Sequence, residues 1–124
     1  MGIAYKNHKV FPNNIYYRDF KGTVNVREII MSWEFLLNND LIKEETKGII
    51  NNLNDCELDM DMDSFQTLMN YLKAHAEFKH LKLAVICTDP RKIVFPVLGE
   101  KMEKTLKIKP FASEDAAVSW IMEF

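Results

Sequence analysis

The sequence is poor in the residues that mark the commoner kinds of active site. It has 124 residues but only four glycines, two cysteines and three histidines. It contains no glycine-rich phosphate loop, no dinucleotide fingerprint and no G-x-S-x-G element. Cys56 and Cys87 are too few for a disulfide scaffold, and their spacing is not that of a metal site. We therefore predict no catalytic site and no cofactor.

The sequence also lacks a large excess of charge of one sign and a long apolar run. The net charge is −2 and the lysines and arginines are scattered, whereas binding to nucleic acid needs a basic face. No apolar run approaches the roughly 18 residues of a membrane span. The first residues lack the apolar core of a signal peptide, and Lys6 stands where a myristoylation motif needs Ser or Thr. We expect a cytoplasmic protein without a nucleic-acid partner or a membrane span.

The patterns that are present indicate one α/β domain over residues 1–124. The chain is organised around residues 47–74, which predict a buried strand, an acidic connection and an amphipathic helix. Asn51 and Asn52, at the end of that strand, are expected to bind neighbouring loops. The periodicities predict the order β-β-α-β-α-β-α-β-α, with helices covering the sheet. The predicted helices span 23–39 and 64–78, surround Pro96 as a turn or kinked helix, and begin at Ser113.

The first predicted helix carries two apolar surfaces. Asn25 and Glu28 have the spacing of a capping box, and one apolar stripe behind them has the period of a core-facing helix. Met31 and Phe35 lie together on the opposite side, four residues apart. A second apolar spot can be a partner surface. The alternative, which stays open, is that the N-terminal segment covers it.

The acidic run 55–63 partly matches a calcium-binding loop. Asp59, Asp61 and Asp63 match its first three ligand positions, but Ser64 replaces the required glycine and Asn70 the required glutamate. We predict no metal site. Instead, we expect Asp61 or Asp63 to cap the helix that follows.

A second interpretation of the chain is a small-molecule or lipid carrier. The apolar stretch 93–98 follows the predicted strand 81–87 and could border a pocket. Met102 is expected to face the core on the same side of the chain. A carrier should enclose an apolar cavity on the order of several hundred Å3. A third possibility, an enzyme that depends on Cys87, requires a histidine within hydrogen-bond reach of the sulfur. The candidate ligand-binding residues are Tyr71, His75, Cys87 and Phe95.

From Gly22 onward the sequence resembles the SpoIIAA-like group of the STAS (sulfate transporter and anti-sigma factor antagonist) superfamily. The matching features are the helix after Gly22, the strand and acidic stretch 49–59, the strand 83–88 and the ending 111–121. The resemblance implies a SpoIIAA-like mixed sheet of four to five strands with about four helices. It also implies that the protein is not an enzyme.

Anti-sigma factor antagonists of this superfamily bind a partner kinase at a strand-to-helix connection, under control of phosphorylation within a D-S-S-G-L-x-x-L pattern. With Phe65 and Leu68 on the two leucines, residues 61–64 fall on D-S-S-G, so that Asp63 takes the phosphorylated position and Ser64 the glycine. Because carboxylates surround Ser64, we predict no standard phosphoswitch.

The leading prediction is a non-enzymatic regulatory or protein-interaction module with an unknown protein partner, by resemblance a regulatory kinase. Self-association as a homodimer through an apolar spot is a further prediction. The candidate partner-binding residues are Asp59, Asp61, Asp63, Ser64, Met31 and Phe35.

Overall fold

The computed structural model describes residues 2–123 and contains a five-stranded mixed sheet. Its strands follow the order β1-β2-β4-β6-β7, of which only β1 and β2 are antiparallel neighbours. β1 and β7 are the edge strands. The predicted mixed sheet is confirmed. The strands are β1 (Ile3–Asn7), β2 (Ile15–Phe20), β4 (Gly48–Asn52), β6 (Lys82–Ile86) and β7 (Lys107–Phe111).

Four α-helices accompany the sheet, and each begins at a side-chain cap. Asn25 and Glu28 form the predicted capping box of α1, and Asp61 is the residue that caps α2. Asp89 caps α3, and Ser113 caps α4. Each cap satisfies backbone N–H groups that lack a partner in the first turn. The helices are α1 (Val26–Asn38), α2 (Met62–Ala74), α3 (Pro90–Met102) and α4 (Glu114–Ile121), with a short 3-10 helix at Ala76–His80.

Two short strands depart from the predicted element order. β3 (Gly22–Asn25) and β5 (Cys56–Asp59) pair in parallel as a separate two-stranded sheet. The prediction that the first helix starts at residue 23 was therefore wrong, as was the description of 55–63 as a connection alone. Strands this short are stabilised by a partner distant in sequence, which local periodicity does not report.

Two helix predictions also need correction. α2 starts at Met62 and ends at Ala74, and residues 76–80 form the 3-10 helix instead of its last turn. α3 continues through Pro96 as one helix. Met102, which was expected to face the core, is 47% exposed because α3 ends there.

The helices are distributed unequally over the two faces of the sheet. The side chains of α1, α2 and α3 share one apolar core with Ile49 and Leu83, while α4 packs alone against Ile50 and Ala84 on the other face. From β2 to β7 the strand order advances in one direction without reversal. This sheet therefore lacks the switch point where ligands bind in many open α/β sheets. No helix within residues 2–123 is long and apolar enough to cross a bilayer.

Candidate functional site

An arginine lies inside the larger core. Side chains alternate along β2, so Tyr16, Arg18 and Phe20 face the layer formed by α1–α3. Arg18 is only 2% exposed. In the strand register it is opposite Tyr5 on β1 and Asn51 on β4. A fully buried arginine is rare unless it is paired with an acid.

The partners of Arg18 are neutral. Its Nε donates to Asn51 Oδ1 at 2.7 Å, and its Nη1 donates to Ser32 Oγ at 2.8 Å. The hydroxyl of Tyr5 also donates to Ser32 Oγ, at 2.9 Å. The Asn51 amide nitrogen is held in turn by the carbonyl of Ala84 at 3.0 Å. Asn51 thus binds the arginine and not a loop, whereas its neighbour Asn52 binds Asp19 as well as the loop backbone.

Two aromatic rings cover the guanidinium. Its carbon lies 3.7 Å from the centre of the Trp33 ring and 5.0 Å from that of Phe20, so the charge is stabilised by cation–π contacts. No ion pair within residues 2–123 includes Arg18. Burial lowers the pKa of Arg18 to about 9, so the side chain carries its charge at neutral pH.

Arg18 lies at the wall of a small cavity of about 90 Å3, which we call the arginine cavity. Arg18 and Asn51 are the polar residues of its lining. The rest is apolar, with Phe65, Leu68 and Met69 contributed by α2. The wall formed by α3, β5 and the loop before α2 consists of Phe95, Pro96, Gly99, Leu58 and Met60.

Of the predicted ligand-binding residues, Phe95 is the one that lines the arginine cavity. The Tyr71 ring packs instead on His75, with 4.2 Å between ring centres. The Cys87 thiol donates to the carbonyl of Asp89 at 3.5 Å, and no hydrogen bond in the described part of the chain links it to a histidine. Burial raises the pKa of the Cys87 thiol, which works against a nucleophilic role. The assignment of these four residues to a ligand remains a prediction.

A second candidate site is the acidic edge, which we define as Asp55, Glu57, Asp59, Asp61 and Asp63. All five side chains are exposed, and none takes part in an ion pair within the described residues. Met62, between Asp61 and Asp63, is 53% exposed. The edge therefore combines carboxylates that form no described ion pair with an exposed apolar side chain, on β5 and at its connection to α2.

Asp61 has a structural role within the acidic edge. Its Oδ1 accepts a hydrogen bond from the backbone N–H of Ser64 at 2.8 Å, and this bond lowers the pKa of the Asp61 carboxyl. Ser64 is partly buried behind it, while Asp59 and Asp63 are exposed. Asp59 and Asp63 can therefore contact a partner protein without loss of the helix cap.

The apolar spot on α1 is only partly covered. Met31 is 59% exposed and Phe35 is 45% exposed. The ring of Tyr5 from β1 stacks on Phe35 with 5.1 Å between ring centres. The N-terminal segment therefore covers one side of Phe35 and leaves the rest in solvent. The apolar spot thus lies on α1, whereas the acidic edge lies on β5 and at the start of α2. Residues 2–123 contain no cluster of three or more His, Cys, Asp or Glu suited to a metal ion.

Comparison with solved structures identifies the class of fold. The chain is similar to an uncharacterised protein of the DUF3478 family with a SpoIIAA-like fold from Shewanella loihica PV-4, with a TM-score of 0.67 and 13% identity over 97% of this chain and 93% of that one. It is also similar to the anti-sigma factor antagonist SpoIIAA in its unphosphorylated form, with a TM-score of 0.54 and 13% identity over 99% of this chain and 100% of that one. No protein-family model and no curated protein matches the sequence.

The protein therefore has a SpoIIAA-like α/β fold, as the resemblance in sequence implied. At this level of identity the likeness shows the fold alone. The residues that act within that fold have to be argued from the structure of this chain.

Sequence reasoning missed Arg18. Its signal was available, because the alternation of β2 places a charged residue between Tyr16 and Phe20 on one face. A charge between two aromatic residues on a core-facing stripe indicates a buried charge. The apolar side chains of α2 and α3 that line the arginine cavity with Arg18 are distant from it in sequence. Sequence alone therefore cannot assign them to the same cavity.

Proposed function

We propose that the protein is a non-enzymatic regulatory module that binds a partner protein through the acidic edge. The observation that carries this proposal is the group of five exposed carboxylates, none of which forms an ion pair within residues 2–123, with the exposed Met62 among them. The fold shared with an anti-sigma factor antagonist supports a regulatory role. By the same resemblance, the partner is a regulatory kinase.

The chemistry of the edge specifies the partner surface. The whole chain has a net charge of −2, yet residues 55–63 alone contain five carboxylates and no basic residue. A complementary surface must present lysines or arginines around an apolar recess for Met62. Complementary charge of this kind speeds association and selects the partner. Asp63 supplies a fixed negative charge where the family pattern has a phosphorylated side chain.

The spot formed by Met31 and Phe35 is proposed as a second contact surface. An exposed pair of large apolar side chains on one helix face is of the kind found in interfaces with another protein or with a second copy of the chain. Sedimentation at high protein concentration tests self-association. A monomer at every concentration contradicts the homodimer.

The experiment is affinity purification from native lysate with three variants beside the wild type. Asp63→Lys reverses a charge on the acidic edge without removing the cap of α2, and Phe35→Ser removes the apolar spot. Glu44→Lys makes the same change of charge in the exposed loop before β4, at the opposite end of the sheet. Co-eluting proteins are quantified by mass spectrometry at low and high salt.

We expect a specific protein to elute with the wild type and with Glu44→Lys, and to be lost with Asp63→Lys. Its recovery should fall as salt rises, because salt screens exposed charges. Loss with Phe35→Ser alone moves the interface to α1. Equal recovery with Asp63→Lys contradicts the proposal.

A carrier of lipid-sized molecules is the weaker candidate. The arginine cavity measures about 90 Å3, whereas pockets for drug-sized ligands are on the order of 300 Å3 or larger. A long acyl chain does not fit in this space.

A further inference from the structure

We propose that the arginine cavity binds a small apolar carboxylate, whose carboxylate group pairs with Arg18. The site is separate from the acidic edge and goes beyond the proposed binding of a protein partner. It rests on a buried charge without a counter-ion, on the unused donors of that charge, and on the shape and polarity of the cavity beside it.

The guanidinium of Arg18 is a buried charge. Arg18 is 2% exposed and no carboxylate pairs with it within residues 2–123. Removing a charge from water is costly, so buried charges in proteins are normally paired. The ring of Trp33 and two neutral acceptors offset part of this cost. An anion in the cavity supplies the counter-ion that the protein itself does not.

The guanidinium of Arg18 has N–H donors that no described acceptor uses. A guanidinium has five N–H groups in a planar fork, and the described hydrogen bonds of Arg18 use one on Nε and one on Nη1. Nη2 donates no described hydrogen bond, and Arg18 is part of the cavity wall. An arginine fork of this kind matches the two oxygens of a carboxylate. The buried side chain is thus positioned to recognise that group.

The arginine cavity is small and mostly apolar. An apolar cavity of about 150 Å3 holds benzene, and the arginine cavity is smaller, at about 90 Å3. Apart from Arg18 and Asn51 its wall is apolar. Sugars and phosphates need several polar partners and are excluded. The cavity therefore fits an aliphatic acid smaller than benzene, of about two or three carbons, with its carbons against Phe65 and Phe95.

The experiment compares an acid with a neutral molecule of the same shape. The full chain is titrated with propanoate and with propanamide by calorimetry and by two-dimensional NMR. Three variants are used. Arg18→Met removes the charge and keeps an unbranched, shorter side chain, and Leu68→Phe narrows the cavity and keeps the charge. Arg91→Met removes an arginine that is exposed.

We expect the acid to bind the wild type and Arg91→Met at least about tenfold more tightly than the amide, because hydrogen bonds between charged groups are the stronger ones. Arg18→Met should lose that preference, and Leu68→Phe should lose binding of both molecules. Chemical-shift changes should be confined to residues of the cavity wall. Asp63→Lys should bind the acid as the wild type does, which separates this site from the acidic edge.

Equal affinity for acid and amide overturns the proposal, as does the absence of binding up to about 10 mM, a concentration well above the Kd of weak specific sites. A preference for the acid that persists in Arg18→Met also overturns it. If Arg18→Met does not fold, Leu68→Phe and the comparison of acid with amide in the wild type decide the question. Binding with shift changes at surface lysines identifies non-specific ion pairing and rejects the site.

Discussion

Replacing Asn51 by leucine is expected to change the free energy of unfolding in opposite directions in two backgrounds. In the wild type, Asn51 Oδ1 is the acceptor for Arg18 Nε at 2.7 Å. Its loss leaves a buried charged donor unsatisfied, which costs about 2–3 kcal/mol. In the Arg18→Met background the situation is reversed, because Asn51 Oδ1 is then the buried group without a partner. Leucine removes that group and should stabilise the protein by about 1–2 kcal/mol.

The two effects differ by about 3–5 kcal/mol, far above the few tenths by which independent substitutions depart from additivity. The assay is urea unfolding followed by circular dichroism, with equal m-values required before the free energies are compared. Asn52→Leu is the matched control, since its amide bonds to Asp19 and not to Arg18. Its effect should be the same in both backgrounds. If Asn51→Leu is destabilising by the same amount in both, the neutral pairing of the buried arginine is not what holds Asn51 in place.

Three further predictions concern stability. Gly48→Ala should destabilise the protein by about 2 kcal/mol or more. An added Cβ would lie 2.7 Å from the carbonyl oxygen of Lys82, and this backbone atom cannot move away as a flexible side chain can. Chemical denaturation measures the loss of stability. Asp61→Ala should cost about 1 kcal/mol, because it removes the hydrogen-bonded cap of α2, and the loss should appear in thermal unfolding. Glu103→Gln should lower stability at pH 7 but not near pH 2. Hydrogen bonds from Thr105, with Lys73 nearby, lower the pKa of Glu103 to about 2, so its contribution is present above the ordinary pKa of 4.5 and is lost as the pH falls toward 2.

Each of these predictions has a control in the same chain. A Cβ at Gly99 meets the end of a flexible isoleucine side chain at 3.3 Å, so Gly99→Ala should be far milder than Gly48→Ala. Asp63→Ala, which removes no cap, should cost less than Asp61→Ala. Glu100→Gln, at an exposed position of α3, should show no comparable dependence on pH. A difference for Glu103→Gln that is constant from pH 7 to pH 2 contradicts the assigned cause.

Local sequence predicted those elements whose stability depends on nearby residues. The capping box of α1 and the serine cap of α4 are formed by residues three apart, and a short window of sequence contains both partners. β3 and β5 are different, because each is stabilised by the other across more than thirty positions. Their pairing places Val24, fully buried, in a strand where apolar spacing alone suggested the first turn of a helix.

The candidate sites divide in the same way. The acidic edge is a continuous stretch of sequence, so its charge and its position before a helix were predictable from the residues alone. The arginine cavity is assembled from β2, β4, α1, α2 and α3. Its volume depends on how closely Met69 and Phe95 approach the sheet, a quantity that only packing determines. The alternation of β2 could place Arg18 inside but could not show that no acid lies opposite.

The topology explains why both candidate sites lie beside α2. In many open α/β sheets a reversal of strand order leaves a crevice at the carboxyl ends of the strands, and here the order advances from β2 to β7 without reversal. Space for a ligand is therefore found beneath the helix layer, where α2 and α3 meet the sheet, and an accessible charged surface is found where β5 leads into α2. One face of α2 closes the arginine cavity with Phe65, Leu68 and Met69, while Asp61 and Asp63 of the acidic edge lie at its cap and in its first turn. The two sites can be separated by substitution of Arg18 on β2 or of Asp63 in the first turn of α2. Asp63 does not line the arginine cavity, and Arg18 is not part of the acidic edge.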